Sequence, residues 1–574
     1  MPRWDLGELP DAPRFTRQSL LAMIGPGLVM GAAAIGGGEW LSGPAVTAKY
    51  GAALLWVATV SIVVQVLYNI EISRYALYTG EPIFTGKCRT PPHPLFWLGA
   101  YMLLDWGSVF PYLVVNAAVA IEKMFIDNFN PETTHWLMHK LVSTGIFICC
   151  VFPLLIGGKV FNSLKVIMSL KLIIVIGFLL FVSAVYSRPT HWGEIVTGLF
   201  KIGTVPVTMG EDRNGNGILD PGEDFDQDGH LDVVEPKTGR DKDGNAVFDP
   251  ARDDLDGDGK FDGPNTENFI LTLVNEGRFP KVDWSLIAFI AGLAAIAGNG
   301  GLTNTPISNF TRDQGWGMGS HVGAIPSIVG GHGIELSHVG CVFEVTEQSL
   351  PRWKRWYKHV ARDQTCVWMM ACLIGVSLPS ILSVGFLPRG TEVNDNVVAA
   401  MTSEGVAKTI ANPNPGTLAY QPAFKSWLTG PSLAEGFRIA TLFCGFLVLV
   451  TSMVSTIDGF TRRWVDVCWT ASARLRALDT SYIKYVYFSV LVAYAACCLT
   501  IIWLTDKPAY VFKLATTGYN FAFAFSCWHT LVINTTLLPK ELRPRFAIRA
   551  MMVVGGMFFV FLGLMAALKL VGVV

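Results

Sequence analysis

The chain has 574 residues, of which 51% are hydrophobic and only 16% are charged. Soluble proteins carry about 25% charged residues. Because the apolar residues here also occur in long blocks, the composition excludes a soluble enzyme, a disordered chain and a coiled coil. The net charge of −1 gives no support for nucleic-acid binding, and we expect no such partner. We therefore predict an all-α integral membrane protein whose surroundings are the lipid bilayer.

Eleven segments are apolar and long enough to cross a bilayer, for which a helix needs about 20 residues. These predicted spans are, in chain order, residues 20–47, 52–78, 95–121, 140–157, 163–187, 284–311, 365–387, 434–458, 481–504, 508–537 and 548–572. Each connection that follows an even-numbered span contains basic residues, among them Lys87, Arg89, Lys159, Arg462 and Arg463. Because cytoplasmic loops carry an excess of Lys and Arg, we predict a cytoplasmic N-terminus in a plasma or inner membrane.

This orientation divides the chain into four parts. They are a cytoplasmic N-terminus (1–18), spans 1–5 (19–203), an extracytoplasmic insert (204–267) and spans 6–11 (268–574). Residues 211–267 carry a net charge of −12, whereas the remainder of the chain carries +11. A short acidic insert therefore interrupts a basic membrane body.

The insert repeats a twelve-residue calcium-loop pattern. Oxygen-bearing side chains stand at positions 1, 3, 5 and 9, glycine at 6 and glutamate at 12, and position 7 contributes a main-chain carbonyl. Residues 212–223 and 224–235 fit the pattern, and a third copy from Asp254 has Asn265 at position 12, which predicts weaker binding. The predicted Ca²⁺ ligands are Asp212, Asn214, Asn216, Ile218, Asp220, Glu223, Asp224, Asp226, Asp228, His230, Asp232, Glu235, Asp254, Asp256, Asp258, Lys260 and Asp262.

The first two loops adjoin, which leaves no room for the paired helices of a helical calcium sensor. They resemble the compact calcium-loop repeats of dockerins and thrombospondin type 3 modules. Outside the cell calcium is abundant, so we expect Ca²⁺ to be a structural cofactor of this insert. A solvated acidic linker is the alternative, but it does not account for the repeated spacing.

Spans 1 and 6 are interrupted by glycines. Gly36, Gly37 and Gly38 precede Glu39, which is the only acid between Ser19 and Lys49, and span 6 contains the run from Asn299 to Asn304. Unwound segments at corresponding places in two five-span halves indicate a substrate site near mid-membrane, and an intramembrane carboxylate is a functional candidate. The alternative is that the glycines only allow close helix packing and that Glu39 lies near the interface. The predicted transport-site residues are Gly36, Glu39, Asn299, Thr303 and Asn304.

Several motifs resemble those of the Nramp family of divalent-metal transporters. They are Gly25-Pro26-Gly27 in span 1, Gln65 and Thr79-Gly80 in span 2, and Ser455-Thr456-Ile457-Asp458-Gly459 in span 8. The resemblance covers most of the chain outside 204–267. It implies a LeuT-type fold, with two inverted five-helix repeats plus added spans and with helices 1 and 6 broken. It also implies inward transport of Mn²⁺, Fe²⁺ or similar ions, usually with protons.

The chain departs from the family at both signatures. Residues 36–39 replace the family's Asp-Pro-Gly-Asn, and residues 301–304 replace Met-Pro-His-Asn. Losing the thioether removes a soft ligand that favours transition metals. The remaining oxygen donors, with Glu39, Thr303 and Asn304, suit a hard cation such as Mg²⁺ or Mn²⁺. A small organic solute such as an amino acid is the alternative, since the same fold serves amino-acid transporters.

Three further polar residues lie inside predicted spans. Asp105, Asp458 and His529 are candidate members of a proton relay. For Asp458 a salt bridge with Arg462 or Arg463 is the preferred interpretation. No set of residues indicates an enzyme, and a receptor held by a membrane anchor would not need eleven spans. We therefore predict a secondary active transporter for a divalent cation, coupled to protons, in which Glu39 attracts the cation or carries the proton.

Overall fold

The computed structural model describes most of the membrane body of the chain. The described residues are 1–13, 26–132, 134–155, 160–207, 266–277, 279–325, 335–388, 391, 393–394, 397–505 and 507–573. All the predicted Ca²⁺ ligands, from Asp212 to Asp262, lie outside these residues, and so does the beginning of predicted span 1. The structure of the described part is almost entirely helical.

The first half of the chain begins with an interrupted helix. Helix α1 (Pro26–Ala34) is followed by residues 35–37, here called the first break, by a π-helical turn (Gly38–Ser42) and by α2 (Gly43–Tyr50). The remaining elements of this half are a 3₁₀ turn (Gly51–Leu54), α3 (Trp56–Thr79), α4 (Ile83–Lys87), α5 (Pro94–Leu104), α6 (Trp106–Val109), α7 (Tyr112–Glu122), α8 (Trp136–Leu155), α9 (Val160–Tyr186) and α10 (Pro189–Gly198).

The second half contains a matching interruption. After α11 (Phe269–Glu276) and α12 (Ile287–Ile296), residues 297–300 form the second break, followed by a 3₁₀ turn (Gly301–Asn304) and α13 (Pro306–Asp313). The later elements are α14 (Gly319–Val322), α15 (Ser349–Arg362), a π-helical turn (Asp363–Trp368), α16 (Met369–Phe386), α17 (Met401–Ala411), α18 (Pro422–Leu428), α19 (Pro431–Ala471), α20 (Ala473–Arg476), α21 (Ile483–Leu504), α22 (Pro508–Thr536) and α23 (Phe546–Leu570), with short 3₁₀ turns at Val398–Ala400, Thr480–Tyr482 and Lys540–Leu542.

Two small strand pairs join distant parts of the chain. Strand β1 (Asp5–Leu6) pairs in parallel with β4 (Cys341–Val342). Strands β2 (Thr204–Pro206) and β3 (Thr266–Asn268) pair antiparallel, with Thr204 opposite Asn268. The two ends of the predicted insert therefore lie side by side.

Eight described helical segments are long and apolar enough to cross a membrane, and the bent α5–α7 segment makes a ninth. The predicted number of eleven is thus not confirmed, because predicted spans 1 and 10 do not meet this criterion. The described part of span 1 contains no single helix that is long enough, since α1 ends at Ala34 and α2 begins only at Gly43. Span 10, which is α22, contains Asn520 and His529, and both are buried within the protein.

The two breaks meet in the centre of the molecule. Helix α12 packs against α22, α23 and the π-helical turn that begins at Gly38. A Cβ atom at Gly38 would lie 2.3 Å from the main-chain oxygen of Ile296. Only glycine therefore allows the end of α12 to approach span 1 this closely, and this contact brings the first break next to the second.

Candidate functional site

A single carboxylate caps the main chain of both breaks. Glu39 is fully buried. Its Oε2 accepts a hydrogen bond from the N–H of Gly36 (2.9 Å), and its Oε1 accepts one from the N–H of Gly298 (3.1 Å). In a continuous helix the Gly36 N–H would donate to the carbonyl of Ala32 four residues earlier. Glu39 therefore both stabilises the interruption of span 1 and fastens it to span 6.

The second break is held in addition by Gln65 on α3. Gln65 Oε1 accepts from the N–H of Asn299 (2.9 Å), and its Nε2 donates to the carbonyl of Ala297 (3.1 Å). The Nδ2 of Asn304 also donates to Gln65 Oε1 (3.2 Å). The amide side chain of Gln65 thus satisfies one main-chain N–H and one main-chain carbonyl of the second break. Non-helical main chain inside a membrane protein requires such hydrogen-bond partners, because no water is available to it.

A buried lysine lies on the other side of the first break. Lys171 Nζ on α9 donates to the carbonyls of Ala32 (2.9 Å) and Ile35 and to Ser452 Oγ (2.9 Å) on α19. The carbonyl of Ile35 and the N–H of Gly36 belong to the same peptide unit. That unit therefore lies between the buried ammonium of Lys171 and the buried carboxylate of Glu39.

A small cavity of about 40 Å³ lies between the two breaks. Its lining combines main chain of both breaks with hydroxyl and amide side chains, and none of the described residues that line it has a charged side chain. The polar side chains that line it are Tyr112, Asn299, Thr303, Ser452, Ser455, Thr456 and Tyr519. The cavity thus presents hydrogen-bonding groups of both kinds.

The structure brings the predicted transport-site residues together. Gly36, Asn299 and Thr303 line the cavity, whereas Glu39 and Asn304 lie behind its wall. Asn304 Nδ2 contacts the carbonyl of Asn299, and Asn304 Oδ1 has no hydrogen-bond partner among the described residues. No cluster of three or more His, Cys, Asp and Glu side chains suited to a metal ion occurs in the described part of the chain.

The three candidate relay residues lie apart from this cavity. Both carboxylate oxygens of Asp105 accept hydrogen bonds from Arg463, at 2.9 and 3.0 Å. Asp458 pairs with Arg462 at 2.7 Å, the salt bridge that the sequence favoured. His529 lies between the hydroxyls of Thr90 and Tyr101, each 2.8 Å from a ring nitrogen.

Beyond the cavity, α13 and α19 share a buried ionic network. Arg462 pairs with Asp458 and Asp313, and Arg312 pairs with Asp313 and Asp466. The prediction that Arg462 and Arg463 lie in a basic connection was wrong, because α19 continues to Ala471 and buries both. Lys87 is likewise buried, where its ammonium donates to Tyr101, Ser526 and Thr530.

Sequence reasoning missed two features of the site. Lys171 was not singled out, although it lies well inside the apolar block 163–187, whose other base, Lys165, lies near its start. A base at such a position carries the same signal that identified Glu39. Ser452 gave no signal, because an isolated serine in an apolar helix is common. Gln65 was noticed only as part of a family resemblance, and its contact with the second break depends on the tertiary structure.

No protein-family model matches the chain, and no curated protein matches it. Among solved structures, the fold is similar to that of a manganese transporter from Eremococcus coleocola. Two mutants of that transporter superpose with TM-scores of 0.56 and 0.53 at 11% and 12% identity, covering 99% of this chain and 92% of theirs. Its complex with an aromatic bis-isothiourea compound gives a TM-score of 0.51 at 12% identity, covering 97% of this chain and 89% of the other. The chain therefore has the same fold as this manganese transporter.

Proposed function

We propose that this chain is a secondary active transporter whose substrate binds between the first and second breaks and is carried by alternating access. The observation that supports this is the position of Glu39, which accepts an N–H from each break beside the cavity. Broken helices that meet in the core present main-chain groups to a substrate without solvent around them. In this proposal the N-terminus is cytoplasmic, as the basic connections predict.

The geometry favours a small neutral or zwitterionic organic solute, such as an amino acid, as the substrate. Glu39 and Lys171 place one acid and one base on opposite sides of the first break, so each can compensate the charge of the other. A divalent cation would add two positive charges to a water-poor site, and uncompensated buried charge is costly. The hydroxyl, amide and main-chain groups of the cavity lining suit a ligand with both hydrogen-bond donors and acceptors.

A divalent cation of the Mn²⁺, Fe²⁺ or Mg²⁺ class is the second candidate. It is favoured by Asn304 Oδ1, a buried acceptor without a partner among the described residues. The carboxylate of Glu39 also has more acceptor positions than the two N–H groups occupy. Amide and carboxylate oxygens are ligands that hard cations prefer. In either case we propose protons as the coupling ion.

The two candidates are separated by ligand-induced thermal stabilisation of purified protein that lacks residues 208–265. A short glycine-containing turn can replace these residues, because Pro206 pairs directly with Thr266. We expect stabilisation by one or more amino acids and none by Mn²⁺ or Mg²⁺, and the stabilising solute should then be accumulated by proteoliposomes under a proton gradient. If only a metal ion stabilises the protein, and Asn304→Ala abolishes this stabilisation, the divalent cation becomes the preferred substrate.

We also propose that the insert binds Ca²⁺ as a structural cofactor outside the membrane. The repeated spacing of acidic residues with glycine at position 6 supports this. In the full-length protein, the double substitution Glu223→Gln and Glu235→Gln removes the bidentate ligand of both complete loops. We expect calorimetry to give Ca²⁺ affinity at least about tenfold lower than in the unaltered protein.

Glu267→Gln is the matched control for this calcium experiment, because this acid lies in β3 and outside the loops. It should leave Ca²⁺ affinity unchanged. No Ca²⁺ binding by the unaltered protein up to millimolar calcium would contradict the assignment.

A further inference from the structure

Helix α3 presents a narrow apolar strip to the outside of the bundle. Val63 is 40% exposed, and Leu67, about one turn further along, is partly exposed. These two residues are here called the α3 strip. Arg74 lies on the same side of the helix, because it follows Val63 by about three whole turns and Leu67 by about two. The α3 strip therefore leads along the helix to a buried guanidinium group.

Arg74 fixes the elements on both sides of this strip. Its Nε and Nη2 donate to the carboxylate of Glu71, at 2.8 and 2.9 Å, and its Nη1 donates to the carbonyl of Leu542 at 2.7 Å. Its guanidinium carbon also lies 4.4 Å from the centre of the Tyr357 ring on α15. The α3 strip thus ends between α15 and the connection that leads into α23. Because Glu71 compensates the charge of Arg74, only other bases can attract an anion to this place.

Three exposed bases stand on these two neighbouring elements. Lys354 and Lys358 lie about one turn apart on α15, and Arg545 directly precedes α23. In the described part of the chain none of the three forms an ion pair. Arg352 and Arg355 of the same helix, by contrast, pair with acids of the N-terminal segment 1–13. The three bases therefore leave a positive charge that nothing described in this protein compensates.

The first residue of α23 marks the level of the membrane surface. Phe546 is 85% exposed and begins a helix that is long and apolar enough to cross a bilayer. Its ring leaves water only by contact with lipid, so Arg545 lies at the level of the lipid headgroups. The connection 537–545 carries three bases and a single acid, Glu541. Basic residues at this level attract the negative charge of anionic lipids.

We propose that the end of the α3 strip is a binding site for an anionic phospholipid. The phosphate lies among Lys354, Lys358 and Arg545, and one acyl chain lies along Val63 and Leu67. Phosphate oxygens accept strong charge-assisted hydrogen bonds from ammonium and guanidinium groups, and burial of the acyl chain adds apolar contact. Such a lipid joins α3 of the first half of the chain to α15 and α23 of the second. The inference is independent of the proposed transport function.

The test is thermal stabilisation of the full-length protein, purified in a neutral detergent, by added lipid. The probes are dioleoyl phosphatidylglycerol, dioleoyl phosphatidylcholine and glycerol phosphate, which is a headgroup without acyl chains. We expect phosphatidylglycerol, at about 100 times its Kd, to raise the thermal midpoint by about 2 °C above that in phosphatidylcholine. Glycerol phosphate at the same concentration should give no rise, because it has no chain to lie along the α3 strip.

The decisive variant is the triple substitution Lys354→Gln, Lys358→Gln and Arg545→Gln. It should reduce the rise caused by phosphatidylglycerol to less than about half, because the phosphate loses its charged partners. All three side chains are exposed, so the variant should fold. If it does not, the double substitution Lys354→Gln and Lys358→Gln takes its place, with the same expected direction.

The matched control removes the same charge from three exposed lysines elsewhere, by Lys201→Gln, Lys408→Gln and Lys425→Gln. It should keep the full rise in phosphatidylglycerol. Native mass spectrometry should likewise find a phosphatidylglycerol molecule retained by the unaltered protein and the control but lost from the triple variant.

Equal stabilisation of the unaltered protein by the two lipids would overturn the proposal. So would an unchanged rise in the triple variant, or an equal loss of the rise in the control. Stabilisation by glycerol phosphate as large as that by phosphatidylglycerol would assign the bases to a free anion and would contradict the lipid site. None of these outcomes affects the proposed transport function, because no substrate is present in the experiment.

Discussion

Replacement of Glu39 by glutamine is expected to abolish measurable uptake of the transported substrate while leaving the helical bundle folded. A glutamine amide has one acceptor oxygen, whereas the carboxylate of Glu39 accepts from both Gly36 and Gly298. The NH₂ group of glutamine would face one of these N–H groups, and neither can accept. An unsatisfied buried donor costs about 1–3 kcal/mol.

This free-energy cost weakens the hydrogen bonds by which residue 39 connects the two breaks. In the proposed alternating-access cycle, spans 1 and 6 move relative to each other, so these hydrogen bonds either persist or are exchanged during transport. The substitution also leaves the ammonium of Lys171 without the opposite charge of Glu39. We therefore expect uptake to fall by more than about tenfold, since 1.4 kcal/mol corresponds to a factor of ten.

The measurement is uptake by proteoliposomes of whichever ligand stabilises the purified protein. Glu435→Gln is the control, because this acid is about half exposed and pairs with Arg438 near the start of α19. It should transport normally. Normal uptake by Glu39→Gln would remove this residue from the mechanism, whereas loss of uptake together with loss of folding would assign it a structural role alone.

Replacement of Arg462 by methionine is expected to destabilise the protein strongly. Arg462 donates to Asp458 at 2.7 Å and also to Asp313, and all three side chains are fully buried. Methionine keeps the volume of the side chain but leaves buried Asp458 without a cation and leaves Asp313 with Arg312 alone. Removing one partner of a buried ion pair costs about 3–5 kcal/mol, because the remaining charge is uncompensated.

We expect the thermal midpoint of Arg462→Met in detergent to fall by about 3–4 °C. Arg438→Met supplies the matched control, because Arg438 lies on the same helix and its carboxylate partner, Glu435, is about half exposed to solvent. An exposed ion pair contributes less than about 1 kcal/mol, so this control should change the midpoint by no more than about 2 °C. If Arg462→Met and Arg438→Met lowered the thermal midpoint equally, the ionic network would not contribute the stability that we expect of it.

The positions of the two breaks could be predicted from the sequence because their signals are local. Three consecutive glycines followed by a lone acid are incompatible with an ordinary membrane helix, and the asparagine-glycine run of span 6 gives the same signal. What each residue contacts could not be predicted in this way. Whether Glu39 reaches a substrate or main-chain N–H groups depends on the approach of α12, which the Gly38 contact allows.

Apart from the Asp458–Arg462 pair, the ionic network could not be predicted, because the pairs that join α13 to α19 are far apart in the sequence. Arg312 and Asp466 are separated by 154 positions, and charged residues near the ends of apolar blocks are usually assigned to loops. The apolar pattern of span 8 ends near residue 458, whereas α19 runs on to Ala471 because paired charges allow a polar helical segment to be buried. Hydropathy alone therefore placed the end of this helix too early.

Helix α19 connects the cavity with the ionic network. It contains 41 residues and no proline after its first position, so it is about 60 Å long, roughly twice the thickness of a hydrocarbon core. Ser452 lies against the first break, and Asp466 lies in the network about 21 Å further along the same rod. A tilt of 5° about Ser452 would displace Asp466 by about 2 Å, more than a hydrogen bond can stretch. In the proposed transport cycle, a tilt of α19 at the cavity would therefore also displace the distant charges.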